Sequence, residues 1–199
     1  MQLYRSELSE HFVNLFTKTI GLSEEQFESV VALFNREYLP RKYFYQRAGD
    51  TCKWFTYINK GSTRTFITDE KGGEHILFFA FEDWIIGDLE SFHTQQPSKL
   101  NIQAMEDCEL MRISKKEMDK LEEAIPCLKT WHVAKQNKSH FAMLNRLAEV
   151  KALSPEERYL NLINKHPHIF QRVPLQYIAS FLGIEPPSLS RLRKRLSSK

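Results

Sequence analysis

Residues Leu175 to Arg195 read L-Q-Y-I-A-S-F-L-G-I-E-P-P-S-L-S-R-L-R-K-R. Two short helices that cross steeply need a small residue where they approach, a glycine able to take positive φ at the turn, and apolar residues on the facing sides. Ala179 supplies the small residue and Gly183 the turn, while Ile178, Leu182, Ile184, Leu189 and Leu192 fall where a shared core requires them. Pro186 and Pro187 suit a helix start, because they fix φ at about −65° where the first amides have no helical partner anyway. The spacing therefore predicts a helix-turn-helix. With Leu189 and Leu192 turned inward, the second helix presents Ser188, Ser190, Arg191, Lys194 and Arg195, and Gln176 completes the candidate DNA-contacting set. Arginine can bond guanine O6 and N7 with two parallel hydrogen bonds, while hydroxyls, helix N-terminal amides and lysine suit phosphates. The bland alternative is an αα-hairpin with a solvated basic face.

Charge supports the sharper reading. The whole chain carries 28 Lys and Arg against 25 Asp and Glu, a net +3. From Gln171 to Lys199 there are six basic residues and one acid, giving +5, so the other 170 residues sum to −2. A near-neutral body with a basic C-terminal module is the distribution expected of a chain that meets phosphates.

Upstream, the run Leu153-Ser154-Pro155-Glu156-Glu157 offers a capping serine, a proline at the first helical position and a glutamate that closes a capping box. This start directly follows a segment from Pro126 to Leu153 that contains no internal Gly or Pro, so a hinge and domain boundary are expected near Leu153. A helix of that length would span about 40 Å, more than one small domain needs, and its stripe of Leu128, Trp131, Phe141, Leu144, Leu147 and Val150, with a polar gap from Lys135 to His140, suits either a helix packed on its own sheet domain or a dimerisation spine, the imperfect heptads favouring the spine only slightly.

Between Tyr38 and Ile113 the texture is β-branched and aromatic, broken by turns such as Ala48-Gly49-Asp50, Asn59-Lys60-Gly61-Ser62 and Asp69-Glu70-Lys71-Gly72-Gly73. Strands are expected at Lys53 to Ile58, Thr63 to Thr68, Glu74 to Phe81, Leu100 to Ala104 and Glu109 to Ile113, an antiparallel sandwich or barrel. The aromatic run Leu77 to Phe81 is expected to fill the interior. Two short helices precede it, the second opened by the box Ser23 to Gln26, and Ser114 to Glu117 forms another box after it.

Several functions are excluded or disfavoured. The longest apolar stretch, Ile76 to Phe81, is six residues, whereas a membrane helix needs about 20. Charged residues among Met1 to Glu7 argue against a signal peptide, so a cytoplasmic protein is expected. Cys52, Cys108 and Cys127 form no C-x-x-C pair and read as reduced core thiols in a reducing compartment. No metal is expected: His75 and His93 stand alone, His132 and His140 lie eight apart, and His166 and His168 flank Pro167. Neither a phosphate loop nor a nucleophile elbow is present, and the chain reads as no enzyme.

Over essentially its full length the sequence resembles the Crp/Fnr family of bacterial transcription regulators. Gly49, Gly61 and Gly87 match the family's β-roll turns, I-I-G-D-L at Ile85 to Leu89 looks like its phosphate-binding cassette, and Ile178 to Arg191 looks like its helix-turn-helix. The resemblance implies an α+β chain: an N-terminal antiparallel, jelly-roll-like β-roll with flanking helices over residues 1–125, a long dimerisation helix and hinge over 126–153, and a helix-turn-helix domain over 154–199. It implies a homodimer on two-fold symmetric double-stranded DNA, with RNA polymerase and a small-molecule effector as further candidate partners and no membrane. The effector pocket would be formed by Gly87, Asp88, Leu89, Ser98, Lys99, Met143 and Leu144. Departures disfavour cyclic AMP: the cassette glutamate is replaced by Asp88, the Arg-Ser clamp by Ser98 and Lys99, and the adenine-facing polar pair by Met143 and Leu144. No cofactor is expected, the clustered thiolates of the iron-sulfur branch are missing, and the family's C-terminal wing is not expected beyond Leu196. The competing class is a ligand-sensing β-roll without sequence-specific DNA binding.

Overall fold

The structure, a computed structural model, describes residues 8–197, with the side chain of Ser197 left aside. The signal-peptide expectation at Met1 to Glu7 and the terminal Lys199 lie outside the described residues. The chain divides into two compact units, one comprising residues up to Ile67 with Phe79–Gln136, the other Thr68–Phe78 with the residues from Asn137 onward.

The first unit opens with α1 (Glu10–Asn14), capped by the Ser9 hydroxyl, a π-helical turn (Leu15–Ile20), and α2 (Glu24–Val31), opened by the expected capping box of Ser23 and Gln26. Eight strands follow: β1 (Asn35–Leu39), β2 (Phe44–Gln46), β3 (Trp54–Lys60), β4 (Thr63–Thr68), β5 (Glu74–Ala80), β6 (Ile85–Ile86), β7 (Asn101–Ala104) and β8 (Cys108–Ser114), with α3 (Leu89–Thr94) between β6 and β7. They form two antiparallel four-stranded sheets, ordered β1-β8-β3-β6 and β2-β7-β4-β5. The architecture is α+β, as expected. The edge strand β1, N-R-E-Y-L, was not singled out by pattern because its polar side chains mask the alternation; its register on β8, from Asn35 opposite Arg112 to Leu39 opposite Cys108, is continuous.

Side chains alternate between the faces of a strand, and the first sheet uses both. Phe55, Tyr57, Met111 and Ile113 face outward against Phe12, Phe16, Phe27 and Phe34 of the N-terminal segment and against Leu128 and Trp131. The opposite face supplies Leu39, Ile58, Ile86, Cys108 and Leu110, which meet Ala80, Ile102 and Ala104 of the second sheet to form the apolar lining of the roll's lumen. Of the run Leu77 to Phe81, Ala80 belongs to that lining, and Phe79 and Phe81 are buried as well. Gly61 closes the β3–β4 turn at φ +96°, and a Cβ there would meet the Asp107 carbonyl oxygen at 2.7 Å, so no other residue fits without moving the backbone.

α4 (Lys115–Ala124) follows β8 and is opened by the Ser114 and Glu117 box, and α5 (Pro126–Ala152) runs for 27 residues. Its first part buries Leu128, Trp131 and His132 in the first unit. In the second unit, α6 (Pro155–Lys165) starts at the Ser154 and Glu157 box with Pro155 in its first turn, and α7 (Ile169–Arg172), α8 (Leu175–Leu182) and α9 (Pro186–Ser197) follow. The tip of the β4–β5 hairpin belongs to this unit: the Ser180 hydroxyl of α8 donates to the Glu74 carbonyl and accepts from the Ile76 amide, both at 3.0 Å.

Candidate functional site

Local sequence sets the α8–α9 pair. Gly183 ends α8 at φ +67°, and the Ile184 amide reaches back to the Ala179 carbonyl at 3.0 Å, the six-to-one bond of a Schellman ending. Ile178, Ala179 and Leu182 are completely buried, and Leu189 and Leu192 of α9 are buried as well. Ala179 allows the close approach, since any larger side chain there would need room that a fully buried position lacks.

This packing turns Ser190, Arg191, Lys194 and Arg195 to solvent, with Ser188 half-buried, and leaves Gln176 exposed in the first turn of α8. The Arg191 guanidinium donates to the Ser188 hydroxyl at 3.0 Å, and the Ser190 hydroxyl donates to the Pro186 carbonyl at 3.2 Å. Arg195 is engaged differently, in an ion pair with Glu156 of α6. Both partners are largely exposed, and such surface pairs contribute about 0–1 kcal/mol, so a phosphate could displace Glu156 at little cost.

Sequence reasoning missed the residue that ties this unit together. Arg158 of α6 donates to the carbonyl of Leu182 at 3.1 Å and to those of Val150 and Leu153 at 3.2 and 2.7 Å. One guanidinium thus occupies carbonyls at the C-terminal ends of α5 and α8 that have no helical partner. An arginine on the outer pattern of an amphipathic helix gives no warning of this.

In the roll, Gly87 and Asp88 join β6 to α3, Leu89 opens α3, and Ser98 is brought to Asp88 from ten residues downstream. Asp88 caps α3: one carboxylate oxygen accepts from the Ser91 amide at 3.2 Å and the other from the Ser98 hydroxyl at 2.6 Å. The Ser98 oxygen also accepts from the Leu100 amide at 2.9 Å, and Ser98 is buried. The cassette therefore satisfies its own polar groups. Lys99 points to solvent. Met143 and Leu144 belong to the second unit and are exposed on α5, with Phe141, Leu147 and Val150 exposed beside them.

The histidines require one correction. His93 does not stand alone: its ring centroid lies 5.4 Å from that of His132, whose Nδ1 is hydrogen-bonded to Glu122 at 2.5 Å. Partial burial, with the neighbouring His132 adding to it, holds His93 below the ordinary histidine value. The sequence separation of 39 residues hid this neighbour, which the packing of α3 beside α5 creates. Among the described residues no group of three or more His, Cys, Asp or Glu converges as a metal site would require, and no helix is long and apolar enough to cross a membrane.

A polar cassette, two facing antiparallel sheets and a following helix are the parts of one recurrent module. Residues 36–124 match the cyclic nucleotide-binding domain. That span runs from β1 to the end of α4 and takes in the roll and its cassette. No curated protein sequence matches the chain. Similar solved structures extend the likeness to the helices beyond the domain. FixK2 from Bradyrhizobium japonicum superimposes with a TM-score of 0.74 at 11% identity, covering 83% of this chain and 85% of that one. The c-di-GMP responsive global regulator CLP of Xanthomonas campestris gives 0.72 at 18% identity over 88% and 92%. A putative transcriptional regulator of the crp/fnr family from Eubacterium rectale gives 0.72 at 15% identity over 96% and 88%. The region that matches the cyclic nucleotide-binding domain thus lies within a fold that the chain shares with these three solved structures.

Proposed function

We propose that the chain is a DNA-binding transcription regulator that acts as a homodimer on a two-fold symmetric operator. The observation that carries this reading is the α8–α9 pair, in which a buried Ile178, Ala179, Leu182, Leu189 and Leu192 core directs Ser188, Ser190, Arg191 and Lys194 to one outward helix face. A major groove admits such a helix, with Arg191 suited to a guanine edge and Lys194, Arg195, Gln176 and the hydroxyls to phosphates.

The exposed stripe of Phe141, Met143, Leu144, Leu147 and Val150 on α5 supports the dimer, since contiguous apolar surface of this kind marks an interaction site. Two copies packed along α5 would present two recognition helices about 34 Å apart, one per half-site. In this division of labour, residues 1–125 sense, 126–153 dimerise and 154–199 bind DNA, with the joint at Leu153 to Pro155 re-aiming the recognition helices when an effector occupies the roll. The closed Asp88–Ser98 cassette favours an effector other than cyclic AMP.

Selection of bound duplexes from a random pool at low salt tests the reading. Recovery of a symmetric site supports it, and recovery of no preferred duplex overturns it.

A further inference from the structure

Helix α9 opens on two prolines, and they decide what its leading end can read. Pro186 and Pro187 are both exposed, and neither carries a backbone N–H. The next two amides, of Ser188 and Leu189, close onto the Glu185 carbonyl at 2.9 and 3.1 Å. A helix N-terminus ordinarily offers free amides to a phosphate. This one has none to offer, and the exposed Glu185 adds a negative charge at the same end.

Helical spacing determines what this end presents instead. Residues three, four and seven apart share a face, so Pro187, Ser190, Arg191 and Lys194 form one ridge. All four are exposed, while Leu189 and Leu192 are buried on the opposite side. Pro187 therefore belongs to the surface that would enter a major groove, although its apolar ring kept it out of the DNA-contacting set read from the sequence. Along the ridge the chemistry changes from apolar to cationic. Pro187 stands one turn ahead of Arg191, whose guanidinium is held by the Ser188 hydroxyl at 3.0 Å. The Ser190 hydroxyl directs its proton back to the Pro186 carbonyl at 3.2 Å.

A proline ring pressed on a base edge makes no hydrogen bond, so a purine N7 or a cytosine amine beneath it would lose its partner. Thymine alone offers an apolar group in the major groove, its C5 methyl. Register follows from the helix rise: four residues put Pro187 about 6 Å from Arg191 along the axis, and stacked bases lie about 3.4 Å apart, so the two side chains reach bases about two pairs apart.

We propose that Pro187 is a specificity-determining residue of the DNA interface, its ring packing on a thymine methyl about two base pairs from the guanine that Arg191 reads in each half-site. The proposal rests on the DNA-binding reading and deepens it, and its test separates the failure of one from the failure of the other.

Duplexes selected by the full chain from a random pool are resynthesised with each thymine in turn replaced by uracil, which deletes only the methyl, and their affinity is measured by fluorescence anisotropy. One thymine per half-site, about two pairs from the guanine whose preference is lost in Arg191→Ala, should cost about 4-fold in affinity when replaced. In Pro187→Ser the same replacement should cost nothing, while the guanine preference stays. If Pro187→Ser fails to fold, the uracil scan of the wild-type protein carries the test alone. A selected site with no thymine in reach of that guanine, full affinity for every uracil-substituted duplex, or an undiminished loss in Pro187→Ser overturns the proposal and leaves the DNA-binding reading standing. Failure to select any duplex overturns both.

Discussion

The Ser98 hydroxyl donates to the Asp88 carboxylate at 2.6 Å, and this one bond closes the cassette of the roll. The second carboxylate oxygen is spent on the Ser91 amide, so a ribose or phosphate would have to displace bonds the protein already makes. Isothermal calorimetry with cyclic AMP should show no saturable heat in the micromolar range. Ser98→Ala removes the donor from a half-buried carboxylate and should lower unfolding stability by about 1 kcal/mol in urea titrations; an unchanged midpoint would mean that water replaces the hydroxyl freely.

Arg158 gives a second test. Arg158→Ala strips donors from the Val150, Leu153 and Leu182 carbonyls together and should cost about 2–3 kcal/mol in chemical denaturation. Arg158→Lys should recover only part of this, because an ammonium cannot reproduce the fork that serves two helix ends at once.

Much of the local structure was legible in the chain. The three boxes at Ser23, Ser114 and Ser154 form as read, because a capping serine and an acid or amide three residues later meet within one turn whatever the tertiary context. The Gly183 turn and its buried neighbours follow equally from adjacent residues. Contacts set by register were not legible. Neither the pairing of His93 with His132 nor the placement of Asn35 opposite Arg112 leaves a mark on local spacing, since each depends on which strand or helix lies opposite. At the candidate effector site, the substitutions at Asp88 and Ser98 were readable, but not that they would bond each other.

The apolar stripe on α5 predicts the oligomeric state. Wild-type protein should sediment as a dimer, and the double variant Leu144→Glu, Leu147→Glu, which alters two exposed positions, should sediment as a monomer with unchanged helicity. A wild-type monomer at micromolar concentration would remove α5 as the dimer interface.

Burial pushes the Cys108 thiol up to about 11 from its ordinary 9.0, and burial raises Cys52 as well; Cys127 corrects the expectation of three core thiols, because its place in the first turn of α5 leaves it exposed. Native protein near neutral pH should therefore be alkylated at Cys127 alone, with the other two labelled after unfolding. The folded state prefers the protonated Cys108 thiol, so its contribution to stability is intact below pH 9.0 and falls away as pH rises toward 11. Urea midpoints compared between about pH 8 and pH 10 should fall less steeply in Cys108→Ala than in wild type.

The most direct measurement of the central claim is the affinity for a selected duplex as a function of salt, for wild type and for Arg191→Ala. Wild-type affinity should fall linearly on a log–log plot as lysine and arginine contacts release counterions, and Arg191→Ala should lose about 1–3 kcal/mol together with the base preference at one position of each half-site. Affinity independent of salt, or full base preference retained in Arg191→Ala, would contradict the assignment of α9 as the recognition helix.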